Sequence, residues 1–153
     1  MRLLIVNPNS SDDVTARIAA AADRVSQPRD VFDAVSAPSD TPLVVTRADA
    51  KRAASAVAQS VEEHAAAYDG IIIASFGDTG IEDARRVTSR PVIGIARSAF
   101  LAALACADSF SIVSFSQAMT PGFRETLKRY ALSDRVREIV GPDIDDIETP
   151  GAI

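Results

Sequence analysis

Three short segments of the sequence carry small polar residues directly after apolar runs. They are Asn7-Pro8-Asn9-Ser10-Ser11, Ser75-Phe76-Gly77-Asp78-Thr79-Gly80 and Ser114-Phe115-Ser116-Gln117. Hydroxyl, amide and glycine residues let the backbone approach a small anion such as a carboxylate, and N–H groups at a helix N-terminus attract negative charge. Such residues also cap helices and form turns, so either reading fits any one segment. Three of them at one sheet edge would indicate a small-molecule site.

These segments lack the patterns that bind nucleotides or metals. Gly77-Asp78-Thr79-Gly80 does not have the Gly-x-Gly-x-x-Gly spacing of dinucleotide-binding folds, and the sequence contains no Gly-Lys-Ser/Thr phosphate loop. Its one cysteine, Cys106, and one histidine, His64, are too few for a Cys-rich zinc site, an internal disulfide or a His-built metal site. A single histidine also argues against a Ser-His triad. We therefore expect neither a metal nor an organic cofactor.

Composition narrows the class of protein further. The chain has 153 residues, of which 47% are hydrophobic, and 16 Lys and Arg against 21 Asp and Glu give a net charge of -5. This composition is typical of a soluble globular protein and argues against nucleic acid or an acidic membrane surface as a partner. No apolar run approaches the roughly 18 residues of a membrane span, and the N-terminal run is too short for a secretion signal. We expect a cytoplasmic protein.

Strand-like and helix-like segments alternate along the chain. Apolar runs predict strands over residues 3–6, 31–35, 71–74, 91–95, 110–115 and 136–140, and helical periodicity predicts helices over 12–27, 48–68, 81–88, 97–107 and 121–132. The apolar stripe expected on the second helix consists of Ala50, Ala54, Val57, Ala58 and Val61. The Pro- and Asp-rich segment 37–42 is too irregular for a helix or strand and suggests a lid or binding loop. This alternation predicts an α/β fold with right-handed crossovers and a parallel sheet.

Three blocks of the sequence resemble the aspartate/glutamate/hydantoin racemase superfamily, nearest to its hydantoin and allantoin racemase branch. The resemblance covers residues 1–140 and is carried by Val6-Asn7-Pro8-Asn9-Ser10-Ser11, by the block from Tyr68 to Ile81, and by Pro91-Val92-Ile93-Gly94-Ile95-Ala96. It implies a Rossmann-like or flavodoxin-like parallel sheet with helices on both faces. It also implies two similar halves with the substrate between them, here a first half over 1–112 and the start of a second, incomplete one over 113–153. Each half of the family fold contributes one catalytic cysteine.

Inversion at a carbon explains why this chemistry uses two bases. A single base would return the proton to the face from which it came, and thiolates suit the task because their pKa can be tuned towards neutrality. N–H donors then hold the negative charge that develops on the substrate. The resemblance places the first cysteine at Ser75, whose hydroxyl titrates far above neutral pH, and the block that carries the second cysteine is absent from this sequence. Whether Ser75 is a natural or an engineered residue stays open.

The resemblance and the three loops together define the candidate site. Ser75 stands at the catalytic position, and Asn7, Asn9, Phe76, Gly77, Asp78, Ser116 and Gln117 are the candidate substrate-binding residues. Asp78 either bonds a substrate amide or caps the helix that begins near Gly80, and capping is the preferred interpretation. Cys106 lies in an apolar helix and is interpreted as a small buried side chain. His64 and Arg97 are interpreted as surface residues, with contact to an anionic substrate as the alternative for Arg97.

Three functions remain open at this stage. The leading one is a cofactor-independent racemase of amino acids or hydantoins that removes and returns a Cα proton. The second is a non-catalytic relative that binds small carboxylates or ureides, which the serine at position 75 would favour. The third is a decarboxylase or isomerase of the same superfamily that uses one cysteine. An incomplete half would expose a sheet edge or an apolar face, so we also expect a homo-oligomer, with a longer protein of which this sequence is a part as the alternative.

Overall fold

A computed structural model describes residues 1–142 of the chain. Its strands and helices follow the alternation expected from the sequence. In chain order they are β1 (Arg2–Asn7), α1 (Asp12–Asp23), β2 (Val31–Ser36), α2 (Arg47–His64), β3 (Gly70–Ile73), α3 (Ile81–Val87), β4 (Val92–Gly94), α4 (Ile95–Cys106), β5 (Phe110–Val113), α5 (Thr120–Arg129) and β6 (Val136–Val140). Short 3-10 turns occupy Ala65–Ala67, Gln117–Met119 and Ser133–Arg135.

The first four strands form one parallel sheet in the order β2-β1-β3-β4. Helices cover both sides of this sheet, as right-handed crossovers require when the chain moves outwards from β1 to β2 and then returns to β3. This is the α/β fold that the sequence predicts. β5 and β6 pair in parallel with each other in a separate two-stranded sheet.

The chain divides into two compact units, the first spanning Met1–Ala96 and the second beginning at Arg97. The division falls in the first turn of α4, so the first unit contains the complete four-stranded sheet. The two family halves expected from the resemblance, 1–112 and 113–153, are defined by internal similarity and not by contacts. This division does not test them, and they stay a prediction. Among residues 1–142, no helix combines the length and the apolar character needed to cross a bilayer.

The core of the first unit is formed by the apolar strands and one face of α2. Leu4 and Val6 of β1 and Ile71 and Ile73 of β3 are fully buried, as expected for strands of a parallel sheet covered on both faces. On α2 the buried residues are Ala53, Ala56, Val57, Ser60 and Val61. The two valines of the predicted stripe are fully buried, whereas its three alanines are half-buried at the border of the buried face. An alanine-rich helix has too little contrast in side-chain size to mark that face sharply.

In the second unit Phe100 of α4 stacks on Phe110 of β5 with ring centroids 5.3 Å apart. Ile112, Phe123 and Leu127 are buried with Phe100. Cys106 is exposed, so its interpretation as a buried side chain is wrong. It lies six residues after Phe100, about 240° around the helix, and therefore on a different face. His64 is exposed as predicted, with Nδ1 at 2.8 Å from the Ser60 carbonyl oxygen.

Candidate functional site

The loops after β1 and β3 leave the four-stranded sheet side by side. Val6 is the register partner of Ile73, and the Ala74 N–H donates to the Val6 carbonyl at 2.9 Å. The chain runs from β1 to one side and resumes with β3 on the other, which makes the gap between these strands the topological switch point of the sheet. Open parallel sheets bind ligands at this position, beyond the carboxyl ends of the strands. Two of the three predicted loops therefore share one candidate site.

In the loop after β1, the asparagine side chains bond to the protein itself. The Asn7 Nδ2 group donates to Asn9 Oδ1 at 2.8 Å and to Thr15 Oγ1 at 2.9 Å, and the Asn9 N–H donates to Asn7 Oδ1 at 3.2 Å. Asn9 Oδ1 also accepts from the Ser11 N–H at 2.9 Å. Asn7 is 1% exposed. The Asn7 side chain therefore holds the loop against the start of α1 and does not face solvent.

The network extends to β2 and to the predicted lid. Thr15 Oγ1 lies 2.6 Å from Ser36 Oγ at the end of β2. The Ser10 N–H donates to the Thr41 carbonyl at 3.0 Å, which ties the Pro- and Asp-rich segment to the loop after β1. Thr41 is buried. This segment therefore lies against the candidate site, while its role as a lid stays a prediction.

The loop after β3 is organised differently. Ser75 is half-buried, and its Oγ accepts a hydrogen bond from the Thr79 N–H at 3.0 Å. Phe76 is exposed and Gly77 is half-buried. The Asp78 N–H donates to the Ser75 carbonyl at 3.0 Å, which closes a tight turn. The Oγ atom of this half-buried residue therefore faces a backbone donor that would stabilise negative charge on it.

Asp78 does not cap α3, so the preferred interpretation is wrong. The N-cap of α3 is Gly80, which has a positive φ of 78° and receives no side-chain cap. The Asp78 side chain is fully buried, and its Oδ1 accepts from the Ala96 N–H in the first turn of α4 at 2.9 Å. A carboxylate there complements the positive end of the helix dipole. Asp78 and Ala96 are 18 residues apart in the sequence. Capping rules consider only residues within one helical turn, so they cannot predict this contact.

The third predicted loop belongs to the second unit and to the other sheet. Ser116 is buried, and its Oγ accepts from the Ala118 N–H at 3.1 Å, so it caps the 3-10 turn Gln117–Met119. Gln117 is exposed, and its backbone N–H donates to the Pro142 carbonyl at 3.0 Å. The expectation that all three loops share one sheet edge is therefore wrong. A pattern of alternating strands does not specify which strands pair.

Four residues that shape these loops were not singled out from the sequence: Thr15, Ser36, Thr79 and Gly94. Thr15 and Ser36 support the loop after β1, and Thr79 supplies the donor to Ser75. A Cβ at Gly94 would lie 2.2 Å from Asp78 Cγ, so only glycine leaves room for the buried carboxylate. A glycine at the junction of a strand and a helix is the one sequence signal that indicates such a close approach.

Two clear pKa shifts lie outside these loops. Backbone and side-chain hydrogen bonds from Thr46 lower the pKa of Asp49 in the first turn of α2. Burial raises the pKa of the Tyr68 phenol, and its hydrogen bond with Asp33 raises it further. Among the described residues 1–142, no three His, Cys, Asp or Glu side chains come together as a metal site would require.

Comparison with known proteins gives consistent matches over almost the whole chain. The family model described as Asp/Glu/Hydantoin racemase matches residues 3–148. The hydantoin racemase of Paenarthrobacter aurescens is 32% identical over 147 residues, which are 94% of this chain and 62% of that protein. The hydantoin racemase of Rhizobium meliloti is 27% identical over 146 residues, covering 94% of this chain and 60% of that protein.

Solved structures agree with these sequence matches. Allantoin racemase from Klebsiella pneumoniae superposes with a TM-score of 0.89 and 32% identity, covering 94% of this chain and 59% of that one. Allantoin racemase from Pseudomonas fluorescens gives a TM-score of 0.84 at 27% identity, with 90% and 60% covered. The chain thus spans about 60% of the length of the relatives that it matches.

Proposed function

Because the chain belongs to the Asp/Glu/hydantoin racemase family, we propose that it acts in the racemisation of a hydantoin-type or ureide-type ring. The observation that carries this proposal is its similarity to hydantoin and allantoin racemases over 94% of its length. The matched residues include both loops at the switch point between β1 and β3. In this proposal the substrate's acidic carbon lies against the loop after β3, and the proton leaves from the side of residue 75.

The geometry around Ser75 supports assigning the first base to this position. The Thr79 N–H, 3.0 Å from Ser75 Oγ, would favour an anion at the end of side chain 75. One N–H donor lowers a pKa by a few units at most, which brings a thiol to neutrality and leaves a serine hydroxyl protonated. We therefore expect weak catalysis from the unaltered chain and strong catalysis when position 75 carries a thiol. Phe76 and Gly77, the accessible residues of the same turn, would contact the ring. We expect the proton transfers themselves to need no metal or organic cofactor.

Deuterium exchange at the acidic carbon tests the proposal. The unaltered chain, Ser75→Cys and Ser75→Ala are each incubated in heavy water with allantoin, a 5-substituted hydantoin, aspartate or glutamate. We expect Ser75→Cys to exchange one enantiomer of the hydantoin or allantoin well above the buffer rate, because one thiolate serves one face. Ser75→Ala should stay at the buffer rate. If Ser75→Cys exchanges none of the four compounds, the proposal fails.

Ser75 itself favours a second candidate, a relative that binds the same small molecules without catalysing racemisation. Its hydroxyl keeps the hydrogen bond with Thr79. It stays protonated at neutral pH, however, and cannot remove a proton from carbon as a thiolate can. Thermal unfolding with and without allantoin or a hydantoin distinguishes the two. Ligand at 100 times its Kd should stabilise the fold by about 2.7 kcal/mol if it binds only the folded state. Stabilisation without turnover supports the binding protein, and racemisation by the unaltered chain excludes it.

We further propose that the protein acts in the cytoplasm as a homo-oligomer. Parallel sheets are normally covered on both faces, yet Val113 on β5 is 83% exposed and Val140 on β6 is 41% exposed. A second copy that covers these side chains would remove apolar surface from water. Sedimentation should show a species heavier than the 16.1 kDa chain. A stable monomer at all concentrations would contradict this part of the proposal.

A further inference from the structure

Asp78 joins two separate parts of the first unit through a buried carboxylate. Its side chain is fully shielded from solvent, and Oδ1 accepts from the Ala96 N–H at 2.9 Å. The carboxylate lies where a Cβ at Gly94 would be, 2.2 Å from Asp78 Cγ. The loop after β3 and the junction of β4 with α4 therefore fit together only with an acceptor at 78 and no side chain at 94.

The backbone at Asp78 is held in an unfavourable conformation. Its φ is 48°, in the left-handed region that non-glycine residues rarely adopt. Such a conformation persists only where surrounding contacts outweigh its cost, and it is common at functional sites. Here the backbone of Asp78 donates to the Ser75 carbonyl and accepts from the Ile81 N–H at 3.2 Å. The hydrogen bond from the Ala96 N–H to the buried carboxylate is a contact that holds this residue from outside its own turn.

This conformation determines where the next N–H points. The peptide that follows Asp78 carries the Thr79 N–H, which donates to Ser75 Oγ at 3.0 Å. A rotation about the backbone of Asp78 would turn this N–H away from side chain 75. The Ala96 contact is thus connected to position 75 through one residue.

We propose that Asp78 is a positioning residue whose carboxylate, anchored on the first turn of α4, keeps the Thr79 N–H directed at the terminal atom of side chain 75. The inference rests on the proposed function in one respect, the assignment of position 75 as the reacting position. Asp78 itself does not touch the substrate in this account. What it supplies is a fixed hydrogen bond to the base.

The reactivity of a thiol at position 75 measures that hydrogen bond without any substrate. The test uses the full chain with Ser75→Cys and with the exposed Cys106 replaced by serine, so that one thiol remains. Its rate of alkylation by iodoacetamide is followed against pH, alone and with Asp78→Asn or Asp78→Ala added. We expect the thiol pKa of the parent to lie below the ordinary value of about 8.5.

The two substitutions at position 78 separate geometry from charge. Asparagine keeps an oxygen that can accept from the Ala96 N–H, so Asp78→Asn should retain the parent pH profile. Asp78→Ala removes the anchor, and the profile should move towards that of an ordinary thiol, with alkylation at neutral pH about tenfold slower, as one pKa unit implies. An Asp78→Ala profile identical to the parent, in a protein that still unfolds cooperatively, would overturn the proposal. So would equal changes in both variants, since these would make charge the cause.

Asp78→Asn decides the matter alone if Asp78→Ala does not fold. An unchanged pH profile of alkylation supports the positioning role. A change of more than about threefold in the alkylation rate at neutral pH overturns it, since a shift of one pKa unit would change that rate about tenfold. Failure here is distinguishable from failure of the proposed function, because alkylation requires no substrate and deuterium exchange requires no variant at position 78.

Discussion

The loops after β1 and β3 leave the same sheet edge as neighbours, yet they use their polar groups in opposite ways. The side chains of Asn7 and Asn9 form hydrogen bonds with each other, with Thr15 and with the backbone. The turn at Ser75 is held by backbone bonds and by one buried carboxylate from Asp78, and the half-buried Ser75 accepts at Oγ from the Thr79 N–H of the same turn. Similar residue types therefore form a buried hydrogen-bond network on one side of the switch point and a partly exposed turn on the other.

The largest effect should come from filling the space beside Asp78. Gly94→Ala places a methyl group 2.2 Å from the buried carboxyl carbon, so either the loop or the start of α4 must move. We expect unfolding free energy to fall by about 2–3 kcal/mol, as overpacking does, measured by urea denaturation. Gly122→Ala on α5 is the matched control, since its methyl group meets no atom within 4 Å. Equal unfolding midpoints for the two variants would contradict the account of Asp78.

The contrast between the two loops predicts different costs of truncation. Asn7→Ala removes the side-chain hydrogen bonds to Asn9 and Thr15 and takes the acceptor from the buried Asn9 N–H, so it should cost about 1–3 kcal/mol of unfolding free energy. Ser75→Ala removes one hydrogen bond at a half-buried site where water can replace it, and should cost less than about 1 kcal/mol. Denaturation of both variants under the same conditions measures the difference. If Ser75→Ala proves the more costly, the loop after β3 is the support and the comparison is reversed.

A smaller effect, dependent on pH, is expected at the start of α2. Thr46 and Asp49 form a capping box in which hydrogen bonds from Thr46 lower the pKa of the Asp49 carboxyl. Because the folded pKa lies below the ordinary 3.8, Asp49 stabilises the fold above that pH and loses its contribution as pH falls through the folded value. Asp49→Ala should cost about 1 kcal/mol at neutral pH.

The cost of Asp49→Ala should therefore shrink as the solution is made more acidic than the ordinary carboxyl pKa. Asp13→Ala in the first turn of α1 is the control, because Asp13 is exposed and pairs with Arg17 across the surface. We expect a smaller change in unfolding free energy for the control. A cost for Asp49→Ala that does not vary between neutral and acidic pH would show that the carboxylate form is not what caps α2.

Features set by neighbouring residues could be predicted from the sequence. Ser11 caps α1 and Pro121 lies in the first turn of α5, as their local patterns indicate, and the apolar run of β3 forms a buried strand. Features set by residues far apart could not. The pairing of β5 with β6, and the bond from Ala96 to Asp78, depend on contacts that no local pattern encodes.

Candidate site residues were predicted by type more reliably than by role. Amide and carboxylate groups bind ligands, which makes Asn7 and Asp78 candidates from the sequence, yet both groups are buried in contacts within the protein. Ser75 is a candidate because of its position in the family pattern, and it is half-buried. Polar residue types alone do not distinguish a side chain that faces a ligand from one that supports the backbone, since both tasks need the same hydrogen-bonding groups.

A titration of the isotope-labelled, unaltered chain with allantoin, followed by nuclear magnetic resonance of its N–H groups, tests the central claim most directly. The claim is that the loop after β3 meets the ligand and the loop after β1 supports it. We predict the largest shifts at the backbone amides of Phe76, Gly77 and Thr79, with little change in the side-chain amides of Asn7 and Asn9. The largest shifts at the two asparagines, or no shift in either loop, would contradict the claim.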